Sequence, residues 1–539
     1  MYRMATTLLL MLALEVCAAG FQQTPQSFQS VPTAAETQQI QASTSPAQTQ
    51  PPTLVFVEGT LNKPKGAPVE NATIKAITGC GRIVGFAVTN NKGHFRLAVP
   101  TGSYIILAMA GHKLIADGGA EATAQTSSVE LTVGAVHVPT VACAEASPDP
   151  SAAKDVVDVF YATDRGQPPQ DDRNYHGRER NDGHLELGVV TVTFPRDKSM
   201  RSNKIPTIWP VEDKPNAPNK ITVDKVFPFD ATPANDVIQS YKPMGLYTRL
   251  KTALSESSTD RVLVYVHGFN VSFDEGAETA AHLAYDLGFK GSVILYSWPS
   301  RHSVPMYGAD EDSIWWSAPH LQDFLTGLAQ QSHIGTIDLL AHSMGTRAVA
   351  LALSNLLTDP SIRPKFNQVV LVAGDFDSGM FGRIACKYDL RSTHISLYAS
   401  KNDKVLKLSH DINADYRIGE VGRDNVIFVW KKSESPPRAR ENDPELESID
   451  ATKVDTAFLG HSYYADQPRM LSELFSLFAY QQAAKNRDQF DQSFPCQQGD
   501  HWELDPHVGI KCAETNSPLV LDCNKYPDSL QKPSSGATN

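Results

Sequence analysis

From Asp155 onward the chain alternates short apolar runs with amphipathic stretches, and this alternation constrains the fold more than any other feature. "RVLVYVHGF" is followed by "DEGAETAAHLAYDLGF", "GSVILYSWP" by "SAPHLQDFLTGLAQQS", and "TIDLLAHS" by "GTRAVALALSNLL". Each pair reads as a strand and then a helix. Runs such as "VLVYV" and "VVLVA" are apolar throughout, as in strands covered on both faces. The pattern therefore predicts a mostly parallel sheet between two helical layers. "DVVDVFYATDR" and "LELGVVTVTF" read as early strands, and "NQVVLVAGDF", "HISLYASKND" and "NVIFVW" as later ones.

The residues before this domain have a different character. The N-terminus carries one Arg, an apolar run from Leu8 to Leu14, and small residues at Ala18 and Ala19. This is a secretory signal pattern, too short to span a membrane, with cleavage expected after Ala19. Glu15 is atypical within it. The expectation is an exported chain, periplasmic or secreted. Cys17 follows Leu-Glu-Val, which lacks the small residues a lipid-anchor signal prefers, so anchoring there is not expected. Residues 20–52 are rich in Gln, Thr, Ser and Pro and read as a disordered linker. From 53 to 146, short alternating runs separated by Gly, Pro and Asn turns predict a small antiparallel β-sandwich. The α/β domain is then expected over 155–490, with a charged, Pro-containing insertion near 431–447. Residues 491–539 read as a cysteine-bearing tail.

Six cysteines remain after the signal: Cys80, Cys143, Cys386, Cys496, Cys512 and Cys523. No CxxC pair occurs, which argues against a structural zinc site. An even count in an exported chain suits disulfides, with Cys80–Cys143 and two of the last three cysteines as the expected pairs. The net charge of −12 and the lack of a basic cluster in the sequence argue against a nucleic-acid binder, which needs a basic face to displace counterions. No later segment is apolar for the ~18 residues a membrane span requires.

The residues that carry chemistry lie where predicted strands end. "AHSMG" puts Ser343 on a strand-to-helix turn between the small residues Ala341 and Gly345, the context of a nucleophile elbow. A serine in a tight turn is weak evidence alone. Upstream, "YVHGFN" ends a buried strand in His-Gly. Its loop is placed to offer a backbone N–H, expected from Phe269, to a tetrahedral oxyanion, with the N–H of Met344 as the second donor. His267 reads as a residue that orients this loop. The chain order then requires an acid and a late histidine. Asp403 in "YASKNDKVL" is favoured as the acid, with Asp375 after "VVLVAG" as the alternative and Asp377 as a third candidate. His461 in "TAFLGHSYYADQ" is the favoured base over His410, His501 and His507. These residues would perform acyl transfer through an acyl-enzyme and need no metal or cofactor. Trp298, Tyr307, Trp315 and Trp316 either line an acyl pocket or lid, or pack a helix onto the sheet. Asp164 and Arg165 are expected to fix the first strand.

Two resemblances add to this reading. "GTLNKPKGAPVENATI" and "TNNKGHFRLAVPTGSYIILAMAGH" resemble the carboxypeptidase regulatory-like, transthyretin-like domain, which implies a non-catalytic spacer or a contact with protein or carbohydrate. "VFYATDR", "VYVHGFN", "YSWPS", "LLAHSMGTRAV", "VLVAGDFD", "LYASKNDKVL" and "GHSYY" resemble a mostly bacterial family of α/β-hydrolase-fold proteins long described as of unknown function. That resemblance implies a serine esterase or lipase with Ser343, Asp403 and His461 as its residues, and assigns no substrate. A small-molecule or lipid ester is the expected substrate. An acyltransferase or amidase on the same residues is the alternative within catalysis, and a non-catalytic envelope binding protein is the alternative outside it.

Overall fold

The alternating runs at the N-terminal end form seven strands: β1 (Leu54–Asn62), β2 (Thr73–Ile77), β3 (Ile83–Val88), β4 (His94–Pro100), β5 (Gly102–Ala110), β6 (Lys113–Ala122) and β7 (Ser127–Thr132). In the computed structural model they make two sheets, ordered β4-β1-β7 and β3-β2-β5-β6. The structure describes residues 53–78, 82–110, 113–123, 127–134, 154–168, 176–195, 222–228, 244–390, 392–421, 428–431, 446–455, 461, 464, 467–481, 484, 487, 501–506, 509–513 and 519–522. The expected signal peptide, the linker over 20–52, the bulk of the charged insertion, and Cys80, Cys143, Cys496 and Cys523 lie outside these residues. Val57, Leu61, Ile74, Phe95, Leu97, Val99 and Ile106 fill the space between the two sheets. β1 and β7 run parallel, so the sandwich is not purely antiparallel as expected.

Strand–helix alternation produces the second layer system. Its strands are β8 (Lys154–Thr163), β9 (Glu186–Pro195), β10 (Thr222–Pro228), β11 (Arg261–Val266), β12 (Ser292–Ser297), β13 (Thr336–His342), β14 (Phe366–Val372) and β15 (His394–Ala399). After these come β16 (Phe428–Lys431), β17 (Leu446–Asp450), β18 (His501–Asp505), β19 (Gly509–Ala513) and β20 (Leu519–Asp522). The helices are α1 (Met244–Glu256), α2 (Phe273–Asp286), α3 (Tyr307–Ala329), α4 (Gly345–Leu356), α5 (Ser378–Ala385), α6 (Lys404–Asn413) and α7 (Pro468–Tyr480). One sheet runs in the order β10-β9-β8-β12-β11-β13-β14-β15-β17-β18-β19. Pairing is parallel from β8 through β18 and antiparallel at both margins. β11, β12, β13 and β15 are buried along nearly their whole length, as their continuous apolar runs require.

Four expectations change. The sheet extends past residue 490, because β18 and β19 of the expected tail join its margin. "NVIFVW" supplies β16, which pairs with β20 in a separate two-stranded sheet. Helix α3 starts at Tyr307, well before the expected Ser317, and runs through Pro319. A proline inside a helix removes one backbone bond. Here Ile314, Ala318, Leu321, Leu325 and Leu328 form a buried stripe on both sides of it, and this packing holds the helix together. Cys386, which the expected pairing left aside, is disulfide-bonded, as is Cys512.

The sandwich does not hold the α/β domain at a distance. Ile77, Ile83, Phe86, Val88, Ile105 and Leu107 share one core cluster with Leu471, Leu474, Phe475 and Phe478 of α7. β3 is an edge strand, whose outward carbonyls would otherwise be free to pair with another chain. Helix α7 covers that edge. Tyr480 Oη donates to Val84 O, Ser472 Oγ to Phe86 O at 2.9 Å, and Arg469 Nη2 to Val88 O at 2.9 Å. The sandwich thus packs directly on the helix that follows His461 in the chain.

Candidate active site

In a parallel sheet, side chains that meet a ligand gather beyond the carboxyl ends of the strands. Ser343 leaves the end of the central strand β13 with φ +53°, in the left-handed region. A non-glycine residue holds this conformation only when its surroundings enforce it. Four bonds do so. Ser343 N donates to Val372 O at 3.0 Å. Ser343 O accepts from Thr346 N at 3.1 Å, Thr346 Oγ1 at 2.7 Å and Asp375 N at 3.1 Å. Gly345 is constrained as well, since a Cβ there would lie 2.4 Å from His267 O. The backbone of β13, the turn and α4 is therefore locked, and the buried Ser343 hydroxyl is held at the helix N-terminus.

Three of the residues named from the sequence meet at this point. Ser343 Oγ donates to His461 Nε2 at 2.8 Å, and His461 Nδ1 donates to Asp403 Oδ2 at 2.8 Å. Asp403 follows β15 and caps α6, with Oδ1 accepting from Leu406 N at 2.9 Å. Its loop is tied to the segment after β17: Asn402 Nδ2 donates to the carbonyls of Thr452 and Asp455, at 3.0 and 2.9 Å. The Asp403 carboxylate is fully buried, so it faces the imidazole without competition from water. Burial pulls the His461 pKa down, but Asp403, with Asp375 and Asp455 behind it, outweighs this and raises the pKa above the ordinary imidazole value.

Asp375 is engaged elsewhere. Its carboxylate accepts from Tyr307 Oη at 2.5 Å and Ser409 Oγ at 2.6 Å, and lies 3.3 Å from Arg347 Nη2. Burial disfavours its charge, but the Arg347 and Arg417 guanidiniums and the two hydroxyls overcome that and hold its pKa below the usual carboxylate value. Asp377 caps α5 through Met380 N. His410 pairs with Glu420 at 2.8 Å, and His501 lies on β18. His507 is outside the described residues.

The loop after β11 lies against the serine. A Cβ on Gly268 would sit 2.7 Å from Ser343 Cβ and 2.9 Å from His342 Nδ1, so only glycine fits there. Among the described residues, the N–H groups of Phe269 and Met344 donate to no protein acceptor. His267 anchors this loop. Its Nδ1 donates to Gly268 O at 2.8 Å and its Nε2 accepts from Arg165 Nη2 at 3.1 Å. Burial and the neighbouring Arg165 charge keep its pKa well below the ordinary value, so it stays neutral. Trp298 stacks on His267 and donates from Nε1 to its carbonyl at 2.7 Å.

Arg165 does more than fix a strand. From beneath the loops it donates to Ser297 Oγ, Ser300 O and Val271 O, at 2.8, 3.0 and 2.8 Å. Asp164 accepts from Tyr296 Oη at 3.1 Å and lies 2.9 Å from His320 Nδ1. Of the four aromatics singled out, Trp298 is fully buried, Trp315 packs edge-on against Phe376 and Trp316 edge-on against His320. Tyr307 alone reaches the site's margin, edge-on to Phe269 at 5.2 Å.

Sequence reasoning missed His342. It directly precedes Ser343, and its Nε2 donates to the backbone carbonyl of His461 at 2.8 Å. Burial and the neighbouring His461 hold its pKa well below the ordinary value, so it remains a neutral donor. Its ring also packs on Tyr464, whose hydroxyl meets Tyr265 Oη at 2.7 Å. These contacts fix the segment carrying His461 against the elbow. Only adjacency to the serine signalled this role in the sequence.

Residues 243–477 match the family described as "Alpha/beta hydrolase of unknown function (DUF900)". No curated protein matches the sequence. Among solved structures, the Bacillus anthracis TIE protein is similar over 26% of this chain and 26% of its own, at 12% identity and a TM-score of 0.13. The chain thus spans about a quarter of that protein, and the likeness is too slight to bear on fold or activity. Among the described residues, no helix is long and apolar enough to cross a membrane.

Proposed function

Taking residues 243–477 as an alpha/beta hydrolase domain, we propose that the chain cleaves carboxylic esters through Ser343. The observation that carries this reading is the unbroken hydrogen-bonded line from Ser343 Oγ through His461 to the buried Asp403 carboxylate. In the proposed mechanism, His461 Nε2 takes the proton as Ser343 Oγ attacks the acyl carbon. Asp403 keeps the proton on Nδ1 and stabilises the imidazolium that forms. The N–H groups of Phe269 and Met344 receive the developing oxyanion, a task for preorganised donors. Collapse expels the alcohol, which takes the proton from His461. A water activated by the same imidazole then clears the acyl-enzyme.

In the same proposal the enzyme is exported, a reading supported by the signal pattern at the N-terminus. An aryl ester series of increasing acyl length, with product identification, tests the reaction class. Release of the carboxylic acid by the native chain, abolished in Ser343→Ala, supports it. Equal hydrolysis by Ser343→Ala refutes it.

A further inference from the structure

Six large apolar side chains stand exposed among the described residues, and five of them lie on three elements beside the candidate site. They are Val304 and Met306 in the turn before α3, Met380 on α5, and Leu408 and Ile412 on α6, each between 39% and 62% exposed. The three elements converge on one junction. Tyr307, directly after Met306, bonds through its hydroxyl to Ser409 Oγ of α6 at 2.9 Å and to Asp375, from which α5 starts three residues later. Asp375 N in turn donates to Ser343 O, and Tyr307 packs on Phe269. The apolar side chains thus form a rim on the elements that hold Tyr307, Asp375 and Asp403 around Ser343.

Helix α6 shows how the rim is oriented. Only Leu406 and Ser409 are buried in it. At 100° per residue, Val405, Leu408 and Ile412 fall on one stripe, and that stripe adjoins Ser409, which faces Tyr307. Lys404, Lys407 and Asp411 form the helix's outer polar flank, with a basic excess. An apolar stripe edged by ammonium groups is the pattern of a helix that lies in a lipid interface, its apolar side chains among acyl chains and its lysines at phosphate head groups. Exposed large apolar side chains gathered on neighbouring elements mark a contact surface.

We propose that this rim docks on a lipid surface and that the ester brought to Ser343 is a long-chain acyl lipid drawn from it. The inference rests on the ester-hydrolase reading for the substrate and on the rim alone for docking. Docking brings the lipid surface against the elements that carry Asp375 and Asp403, so a lipid-borne ester reaches the site from that surface while a dissolved ester reaches it without the rim.

Sedimentation with vesicles of phosphatidylcholine and phosphatidylglycerol separates the two parts. The full chain carrying Ser343→Ala is compared with the same chain carrying Leu408→Ser and Ile412→Ser as well, so that the apolar segment Leu8–Leu14 contributes equally to both. Ser343→Ala protein should pellet with the vesicles. The added substitutions should lower its partitioning about tenfold for each apolar side chain withdrawn from the interface. With Ser343 intact, the Leu408→Ser/Ile412→Ser chain should turn over a dissolved short-chain ester at the native rate and lose most of its turnover of a vesicle-borne long-chain ester. Ser343→Ala protein that stays in the supernatant, or partitioning unchanged by the two substitutions, overturns the proposal. Vesicle binding by Ser343→Ala, lost with the rim, in a chain whose native form hydrolyses no ester upholds the docking and overturns the ester-hydrolase reading.

Discussion

Replacing Asp403 by Asn separates chemistry from structure at this site. Asn caps a helix about as well as Asp, so α6 keeps its N-terminal bond to Leu406 N. The lost quantity is the charge facing the imidazole. In the attack step His461 becomes an imidazolium with Nδ1 2.8 Å from Asp403 Oδ2, so the charge centres lie about 4 Å apart. At an effective dielectric constant of about 20, that pair is worth about 4 kcal/mol. At 1.36 kcal/mol per factor of ten, its removal slows the step by about 10³. The amide adds a second effect. With Oδ1 held by Leu406 N, its Nδ2 hydrogens face Nδ1 and favour the tautomer protonated on Nε2, which cannot take the serine proton. The expected loss in kcat is therefore about 10³ to 10⁴. The assay is kcat and kcat/KM for a soluble aryl ester across pH, with unfolding temperature as the control. Activity within tenfold of native in Asp403→Asn refutes the reasoning. So does a comparable loss in Asp375→Asn with Asp403→Asn spared.

Further expectations follow from the same contacts. The kcat/KM of the native enzyme should fall with acid along a limb whose midpoint lies above the ordinary imidazole value of about 6.5, because neutral His461 is the active form and its pKa is raised; a midpoint clearly below that value contradicts the assignment of the base. Gly268→Ala would press a Cβ into Ser343 Cβ and His342 Nδ1, and a displacement of the loop by about 1 Å should cost on the order of 10² in kcat; steady-state kinetics with unchanged rates would show the loop to be free of the serine. Asp375→Ala removes the carboxylate that buried Arg347 and Arg417 share, leaving Arg347 its ion pair with Glu311, and should destabilise the chain by about 3–5 kcal/mol, measured by denaturant unfolding; a change below about 1 kcal/mol would mean that the cluster does not hold α4 to α6.

The layout of the α/β domain was legible because each of its signals is local. An uninterrupted apolar run marks a buried parallel strand, and small residues around Ser343 mark a sharp turn. Asp403 could be named because it follows a predicted strand, and His461 because the order of serine, acid and histidine calls for a late histidine in a loop-like setting. Their mutual distance was not legible, since the loops after β15 and β17 set it. What the sequence concealed depends on partners far along the chain. His342 bonds the carbonyl of a residue 119 positions later, and nothing near His342 encodes that. The seating of the sandwich on α7 was hidden for the same reason, because Arg469 and Ser472 bond carbonyls more than 380 positions earlier. β18 and β19 were read as tail because strands of five residues at a sheet margin carry too little periodicity to be seen. The helix read from Ser317 begins at Tyr307, because packing on both sides of Pro319 carries it through the proline.

Covalent labelling tests the central claim most directly. The native chain treated with a fluorophosphonate should gain one phosphonyl group, and peptide mass spectrometry should place it on Ser343. The rate should depend on His461 and collapse in His461→Ala, because the serine is activated only through that imidazole. Absence of labelling, or a label on another residue with Ser343 unmodified, would contradict the account.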